Sequence, residues 1–335
     1  MSVEATFYTI SSAGYFPGTV ALLNSLRLTG NAGELVVLDR GLSTDQRSRL
    51  VPHARVVDLP TGAEGHPTLT KPFPRLFEPR GVVVLVDSDM VVARPLHDLV
   101  RRASEGKILL FADHRSHSRR WFAEWAEAFQ LRAPLRRQTY LNAGFVVFDV
   151  EHRPQLLERF WDACRLIPPA KVFAEFDQPF WAGDQDALNA LLQSEFPEDA
   201  TEVLPDHGEA YPDDLLRVEI VDPGSLASTL DGQPVTILHY SLGPKAWNPR
   251  AWPRVRDDAY TRLMPRLLFE EDCVLRLDPR EVPLWLRPGL IPRATLAGLD
   301  RWHGAARSAV WAMPEPVRRR AMAARAALFS WLTKS

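Results

Sequence analysis

The sequence predicts an α/β protein with a mostly parallel central sheet and flanking helices. Strand and helix patterns alternate through the first 59 residues, which is the order of chains built from βαβ units. Later, the run Val82–Val86 contains four valines and one leucine, and such a run is typical of a strand buried on both faces. We therefore expect this strand near the middle of the sheet.

The first three strands are predicted at Thr6–Ser11, Glu34–Asp39 and Ala54–Leu59. An amphipathic helix is predicted at Thr19–Leu28. A second helix is predicted over Ser43–Leu50, because that segment opens with the Ser-x-x-Gln form of a capping box. No Gly-x-Gly-x-x-Gly follows the first strand, so the common dinucleotide-binding fingerprint is absent.

Later segments continue the alternation and then change in character. Further strands are predicted at Lys107–Ala112, Tyr140–Asp149 and Val235–Tyr240, and further helices at Leu96–Glu105, Glu151–Leu166 and Gly183–Leu192. From about Pro265 the chain becomes proline-rich and then basic and helical. We therefore predict a main domain over residues 1–265 and a C-terminal helical extension over residues 266–335.

Composition excludes several classes of protein. Hydrophobic residues make up 46% of the 335 positions, which suits a globular domain with an appendage. A net charge of −2 argues against a general nucleic-acid binder. Cys164 and Cys273 form neither a disulfide framework nor a metal-ligand pair. The N-terminus lacks the features of a signal peptide, and no apolar run approaches the roughly 20 residues that span a bilayer, so we expect a cytoplasmic protein.

The C-terminal segment Arg301–Ser335 is predicted to dock the protein on an anionic membrane surface. From Arg318 onward it carries five basic side chains and no acidic one, with Phe329 and Trp331 among its bulky apolar groups. A basic helix with such groups can lie in the bilayer interface. The alternative is a pair of helices packed on the main domain or on a second subunit.

Two carboxylates follow the strand Val82–Val86. Side chains two residues apart on an extended segment point the same way, so Asp87 and Asp89 direct their charges toward one point. Like charges this close require neutralisation, and oxygen ligands suit Mg²⁺ or Mn²⁺. His239, at the end of an apolar strand, could be a third ligand. The alternatives are a capping and a solvated aspartate, and a structural histidine.

Other polar positions near predicted strand ends could contact a ligand. Lys245 follows His239 closely and could neutralise a phosphate oxygen. Asn142-Ala143-Gly144, predicted as a turn, would let a hydroxyl-rich ligand approach the backbone, although it could be an ordinary turn. Asp184-Gln185 could contact a ligand or simply cap a helix, and Tyr15 could stack on a flat base or only pack its loop.

Five of these features occur in an order that resembles glycosyltransferase family 8, which includes glycogenin and bacterial lipopolysaccharide galactosyl- and glucosyltransferases. They are Leu69-Thr70-Lys71, Asp87-Ser88-Asp89, Asn142-Ala143-Gly144, Gly183-Asp184-Gln185 with Leu188-Asn189, and His239 with Lys245 and Trp247. The resemblance covers roughly residues 5–250. It implies a Rossmann-like GT-A fold, a UDP-sugar donor, Mn²⁺ as cofactor (or Mg²⁺) and transfer with retention at the anomeric carbon.

The resemblance also implies residue roles. Asp87, Asp89 and His239 would bind the metal ion, Lys245 the diphosphate and Tyr15 the uracil. Gln185, near the anomeric carbon, and its neighbour Asp184 would be the catalytic residues. The other donor-binding residues would be Lys71, Ser88, Asp113, Asn142, Ala143, Gly144 and Gly243, of which Asp113 falls where the family often has a carboxylate near the sugar. The acceptor would be a saccharide or a lipid-linked molecule.

Two stretches of aromatic residues lie near these motifs. Trp121, Phe122, Trp125 and Phe129 have helical spacing within Ser116–Gln130, which favours core packing over a sugar platform. The loop Phe173–Trp181 and the Ser116–Trp125 stretch are the predicted walls of the acceptor pocket.

The chain departs from the family pattern in two places. The usual His-x-x-Gly-x-x-Lys-Pro-Trp has its glycine one place late, at Gly243, and Ala246 in place of proline. The first loop, before Tyr15, lacks the usual Asp and Asn, so a donor other than a UDP-sugar stays open.

Two other functions fit part of the sequence. A phosphatase of the haloacid dehalogenase type also has an apolar strand ending in Asp-x-Asp, with the first aspartate as nucleophile. That motif normally opens the fold, whereas here three predicted strands precede Asp87, and His239 would have no role. The second alternative is a catalytically degenerate sugar-nucleotide-binding protein.

Overall fold

A computed structural model describes residues 4–59, 65–113, 120–241, 243–251 and 256–288. Its central sheet has seven strands in the order β3-β2-β1-β4-β7-β6-β8. These strands are β1 (Ala5–Ser11), β2 (Leu35–Asp39), β3 (Arg55–Asp58), β4 (Val82–Val86), β6 (Ile108–Ala112), β7 (Leu141–Asp149) and β8 (Thr201–Leu204). The predicted α/β class with a mostly parallel sheet is confirmed.

Strand β4 is the middle strand of this sheet, as the apolar run predicted. It pairs in parallel with β1 and in antiparallel fashion with β7, which is also antiparallel to β6. Val82, Val84 and Val86 pack into one hydrophobic core, and Val83 and Leu85 pack into the other. Burying each of these side chains stabilises the fold by roughly 1.5–3 kcal/mol.

Seven α-helices cover the two faces of the sheet within the described residues. They are α1 (Phe16–Leu28), α2 (Thr44–Leu50), α3 (His97–Ser104), α4 (Trp125–Ala128), α5 (Leu156–Arg165), α6 (Asp184–Leu192) and α7 (Ala259–Phe269). The core on one face includes residues of α1, α3 and α7, and the core on the other face includes residues of α4, α5 and α6.

Helix α1 differs from the prediction of an amphipathic surface helix. It begins three residues earlier, at Phe16, and Phe16–Leu26 is buried throughout. The reason is that α7 and the segment after it cover its outer side, where the Asn24 amide donates hydrogen bonds to the carbonyls of Leu267 and Leu275 at 2.7 Å. Sequence periodicity cannot reveal a cover that comes from residues more than 240 positions away.

Three other predicted elements are shorter or different. Asn142-Ala143-Gly144 is not a turn but the start of β7. The predicted helix Glu151–Leu166 begins only at Leu156, because the Asp149 carboxylate accepts from the Glu151 and His152 amides and holds a turn there. In the Ser116–Gln130 stretch only α4 is helical among the described residues, and Trp125 and Phe129 are buried in the core, as predicted.

Within the described residues, smaller strands form two further sheets of three strands each. The sheet β5-β13-β9 consists of β5 (Met90–Val92), β13 (Ile237–His239) and β9 (Glu209–Ala210), with β13 between the other two. The other consists of β10 (Glu219–Asp222), β11 (Ala227–Leu230) and β12 (Gln233–Pro234). The first sheet matters for function because it places Glu209 and His239 beside the turn after β4.

The predicted domain boundary, at residue 265, falls within α7. Beyond it, Leu275, Leu277, Val282 and Leu286 pack into the same core as α1. The predicted membrane-docking segment, residues 301–335, lies outside the described residues, so docking stays a prediction. In the described part of the chain, no helix has both the length and the hydropathy needed to cross a bilayer.

Candidate active site

Asp87, Asp89 and His239 meet at the carboxyl edge of the central sheet. One ligand atom from each lies within 4.8 Å of the other two. The turn after β4 is held by a hydrogen bond from the Asp87 amide to the Gly144 carbonyl of β7, at 2.9 Å. Strand β13 pairs His239 with Met90, and the Tyr240 amide donates to the Asp89 carbonyl at 3.0 Å. The backbone therefore brings a residue from far along the chain to the aspartate pair.

This cluster fits a divalent cation by its chemistry. Two carboxylate oxygens and an imidazole nitrogen are a donor set that Mn²⁺ and Mg²⁺ accept, the imidazole favouring Mn²⁺. Glycine at position 144 leaves room beside the cluster, because a Cβ there would lie 3.1 Å from an Asp87 carboxylate oxygen and 2.6 Å from the Met90 methyl group. A side chain at this position would require Met90 and, to a smaller extent, Asp87 to shift.

Each aspartate of the pair also binds a buried lysine. The Lys71 ammonium lies 2.8 Å from Asp87, 3.1 Å from Asp184 and 3.0 Å from the Ala143 carbonyl. The Lys245 ammonium lies 2.5 Å from Asp89 and donates to the Tyr240 carbonyl at 2.9 Å. These contacts balance part of the negative charge at the edge of the sheet.

The pKa values of the two aspartates are shifted in opposite directions because their surroundings differ. Burial raises the pKa of Asp87, although Lys71 opposes the rise. Burial also acts on Asp89, but Lys245 and His239 outweigh it and lower the pKa of that carboxyl below its ordinary value. The Asp89 carboxyl therefore loses its proton more readily than the Asp87 carboxyl.

Gln185, on the first turn of α6, is held at both ends of its amide group. Its Oε1 accepts from the Ala143 backbone amide at 3.1 Å, and its Nε2 donates to an Asp113 carboxylate oxygen at 2.9 Å. Asp184, the residue before it, is buried and bonded to Lys71. The N-cap of α6 is Gly183, so the simple capping role considered for Asp184 does not apply.

Two residues near the candidate metal ligands were missed by sequence reasoning. Glu209 Oε1 lies 2.8 Å from His239 Nδ1, and the Tyr211 hydroxyl hydrogen-bonds the Asn142 amide. Tyr211 also reaches Asp113, 3.5 Å away, and its ring centroid lies 5.5 Å from that of His239. Both residues follow a loop with no recognisable motif, and the polar sequence around Glu209 gives no signal that this carboxylate is buried.

A second buried network fixes the scaffold behind Gln185. Asp186 of α6 accepts from the Arg120 guanidinium at 2.7 and 2.9 Å, from the Tyr140 hydroxyl at 2.8 Å and from the Ala182 amide at 2.8 Å. Asn189, one turn later, donates to and accepts from the backbone of Leu141 at 2.8 Å. These contacts fasten α6 to the start of β7, so Gln185 and Asn142 hold their relative positions.

Tyr15 and Trp247 form the opposite end of the site. The Tyr15 ring is 39% exposed, meets Trp247 edge to face at 6.2 Å and lies 5.9 Å from the Lys245 ammonium. The Trp247 indole donates to the Gly14 carbonyl at 2.8 Å. Gly18 allows this packing, because a Cβ there would overlap both the Ser88 carbonyl and the Trp247 ring.

A single cavity of about 980 Å³ joins these groups. Thirteen of the fourteen residues that the sequence singled out line it, and they are Tyr15, Lys71, Asp87, Ser88, Asp89, Asp113, Asn142, Gly144, Asp184, Gln185, His239, Gly243 and Lys245. Ala143 is buried and takes part through its backbone. The far wall includes His66, Phe173 and Trp181, whereas Trp121, Phe122 and Trp125 do not line the cavity.

Comparison with known proteins identifies the fold. No protein-family model and no curated protein matches the sequence. Among solved structures, the apo bifunctional glycosyltransferase WbbM matches with a TM-score of 0.54 and 17% identity, over 80% of this chain and 50% of WbbM. The galactosyltransferase LgtC, in complex with donor and acceptor sugar analogs, matches with a TM-score of 0.50 and 15% identity. An active-site mutant of LgtC matches with a TM-score of 0.51 and 15% identity.

The two LgtC matches cover 80% of this chain and 98% of LgtC, whereas the chain spans half the length of WbbM. At these identities the likeness establishes the fold. The predicted GT-A fold is thus confirmed.

Proposed function

We propose that this protein is a metal-dependent glycosyltransferase that moves a hexose from a nucleotide-sugar to a saccharide or lipid-linked acceptor, with retention of configuration. A UDP-sugar is the proposed donor, and Mn²⁺ or Mg²⁺ the cofactor. The observation that carries the proposal is the cluster of Asp87, Asp89 and His239 at the carboxyl edge of the sheet. The fold shared with LgtC, a galactosyltransferase, supports the same class of reaction.

The diphosphate of the donor would lie between the metal cluster and Lys245. A cation held by Asp87, Asp89 and His239 would neutralise charge on the leaving diphosphate. Lys245 lines the same cavity, so its ammonium group is placed to bind a phosphate oxygen as a point charge. Tyr15, half-exposed beside Lys245, offers an aromatic face to the base.

The transferred sugar would lie over the start of α6. Lys71, Asp184 and Asn142 line this part of the cavity and offer donors and acceptors to its hydroxyl groups. Gln185 is proposed to lie near the anomeric carbon, with both ends of its amide anchored. Anchoring of this kind lowers the motion of a group that must hold a reacting atom in place.

Retention is proposed from the resemblance to glycosyltransferase family 8, and the chemistry of Gln185 is compatible with it. An inverting enzyme needs a carboxylate base on the acceptor side, whereas a neutral amide is too weak a base or nucleophile to act alone. Asp113, a neighbouring carboxylate, already accepts from Gln185. We therefore propose that the leaving diphosphate helps to deprotonate the acceptor on the same face of the sugar.

The acceptor would enter past the aromatic loop. Phe173 is 55% exposed, and its ring lies 5.5 Å from both His66 and Trp181 at the far wall of the cavity. Phe173 also has a φ of 56°, which is rare for a bulky residue and indicates that its surroundings hold it there. These rings would face the apolar side of an acceptor sugar.

The alternatives remain distinct in what they require. A phosphatase would use Asp87, which pairs with Lys71, as a nucleophile, and it would leave His239 without a role. A degenerate binder would keep the same geometry without turnover.

Release of UDP from UDP-glucose and UDP-galactose, measured in Mn²⁺ and in chelator, tests the proposal. We expect slow metal-dependent hydrolysis of at least one donor, and NMR of the first-formed sugar product should show the donor's anomeric configuration. An inverted product would contradict retention. Phosphate release from simple esters would favour a phosphatase, and tight donor binding without turnover would favour a degenerate binder.

A further inference from the structure

Glu209 lies behind the candidate metal ligands, and nothing in the proposed chemistry yet uses it. Its side chain is buried, and its Oε1 lies 2.8 Å from Nδ1 of His239. A buried carboxylate costs free energy unless it is paired, so a partner must compensate for its presence. The partner here is the ring of a candidate metal ligand.

The register of the sheet β5-β13-β9 fixes this contact. Strand β9 runs parallel to β13 with Glu209 opposite Ile237, and His239, two residues after Ile237, projects from the same face of the sheet. The other ring nitrogen of His239, Nε2, lies 3.7 Å from Asp89 Oδ1. Tyr211 packs over the ring at a centroid distance of 5.5 Å. The imidazole is thus held from one edge and one face, with its second nitrogen toward the aspartate pair.

We infer that Glu209 is a positioning residue, which accepts the Nδ1 hydrogen of His239 and so presents the unprotonated Nε2 to a cation between Asp87 and Asp89. A histidine that binds a metal through one nitrogen commonly donates its other N–H to a carboxylate, which fixes both the tautomer and the ring orientation. The Asn142 amide donates to the same Glu209 oxygen at 3.4 Å, so the carboxylate also links the metal cluster to the sugar side of the cavity. The inference rests on the proposed metal dependence.

Titration of Mn²⁺ onto the full-length protein, followed by the EPR signal of the free ion, tests this role without any turnover. Glu209→Leu removes the acceptor, and we expect its affinity for Mn²⁺ to fall by about 10- to 100-fold. Glu209→Gln keeps a carbonyl oxygen that can accept from Nδ1, so its affinity should lie closer to the wild type than to the leucine variant. This rescue would not be seen if Glu209 served only to fill space.

Glu195→Leu is the matched control. Glu195 is a partly buried carboxylate, bonded to Arg159 at 2.5 Å, but it does not line the cavity. Its loss should lower the stability of the protein and leave the affinity for Mn²⁺ unchanged.

The outcomes separate this inference from the proposed function. A wild-type protein that binds no Mn²⁺ would reject the metal site itself. A wild type that binds Mn²⁺, with a folded Glu209→Leu variant that binds equally well, would reject only the role of Glu209. Should that variant not fold, ¹⁵N NMR of the Mg²⁺-saturated wild type decides the question, since a hydrogen on Nδ1 of His239 supports the inference and a hydrogen on Nε2 overturns it.

Discussion

Replacing Asp89 with asparagine is expected to lower turnover at least about a hundredfold while the fold survives. The asparagine side chain keeps the size of the aspartate and an oxygen that can accept from Lys245. In the wild type the Lys245 ammonium lies 2.5 Å from the Asp89 carboxylate. What the substitution removes is the charge that holds the cation in the proposed function. Such a cation would contribute several kcal/mol to the transition state, and about 3 kcal/mol corresponds to a hundredfold in rate. Steady-state release of UDP from the donor measures the turnover, and a circular dichroism spectrum of the variant shows whether the fold survives.

Asp98→Asn provides the matched control for Asp89→Asn. Asp98 lies on the first turn of α3 and is exposed, and it pairs with Arg101 and Arg102 on the surface. The same chemical change there should leave turnover as in the wild type. The metal interpretation is wrong if Asp89→Asn turns over at a rate near the wild type in the presence of chelator.

Replacing Asp186 with asparagine is expected to cost about 3–5 kcal/mol of stability, because it leaves a buried charge without its partner. Asp186 is fully buried, and its carboxylate binds the Arg120 guanidinium through two nitrogen atoms, at 2.7 and 2.9 Å. The asparagine amide can replace neither the charge nor both hydrogen bonds. Urea denaturation of the wild type and of the Asp186→Asn variant measures the loss in free energy of unfolding.

Arg120 also joins this network to the aromatic loop. Its guanidinium donates to the Phe176 carbonyl at 2.6 Å and to the Gln178 carbonyl, and it lies 5.6 Å from the Trp181 ring. We therefore expect the Asp186 variant to loosen the far wall of the cavity as well. Asp98→Asn, which breaks only exposed ion pairs, should cost less than about 1 kcal/mol in the same assay. Equal losses of stability in the Asp186→Asn and Asp98→Asn variants would show that the buried pair of Arg120 and Asp186 does not stabilise the fold.

Local patterns predicted the parts of the site that depend on neighbours in sequence. The apolar run before Asp87 specified a central strand because a β-branched stretch with no polar residue has no exposed face. The capping box at Ser43 gave the start of α2, since both of its hydrogen bonds are local. His239 was placed correctly at a strand end, where the sheet brings it to the aspartates.

Long-range packing set the features that the sequence did not predict. The burial of α1 depends on α7, and the pairing of Arg120 with Asp186 spans 66 positions. Glu209 meets His239 only because β9 and β13 are neighbours in a small sheet. The lysines were assigned to ligand groups, but in the protein alone Lys71 and Lys245 bind the two aspartates, which no motif encodes.

The thermal midpoint of the full-length protein, measured with nucleotide-sugars in Mn²⁺ and again in EDTA, tests the metal-dependent donor site most directly. A ligand at a hundred times its dissociation constant stabilises the folded state by about 2.7 kcal/mol. We predict that one nucleotide-sugar, a UDP-hexose first of all, raises the midpoint by several degrees in Mn²⁺ and has no effect in EDTA. An equal rise in EDTA, or no rise with any nucleotide-sugar, would contradict a metal-dependent donor site at Asp87, Asp89 and His239.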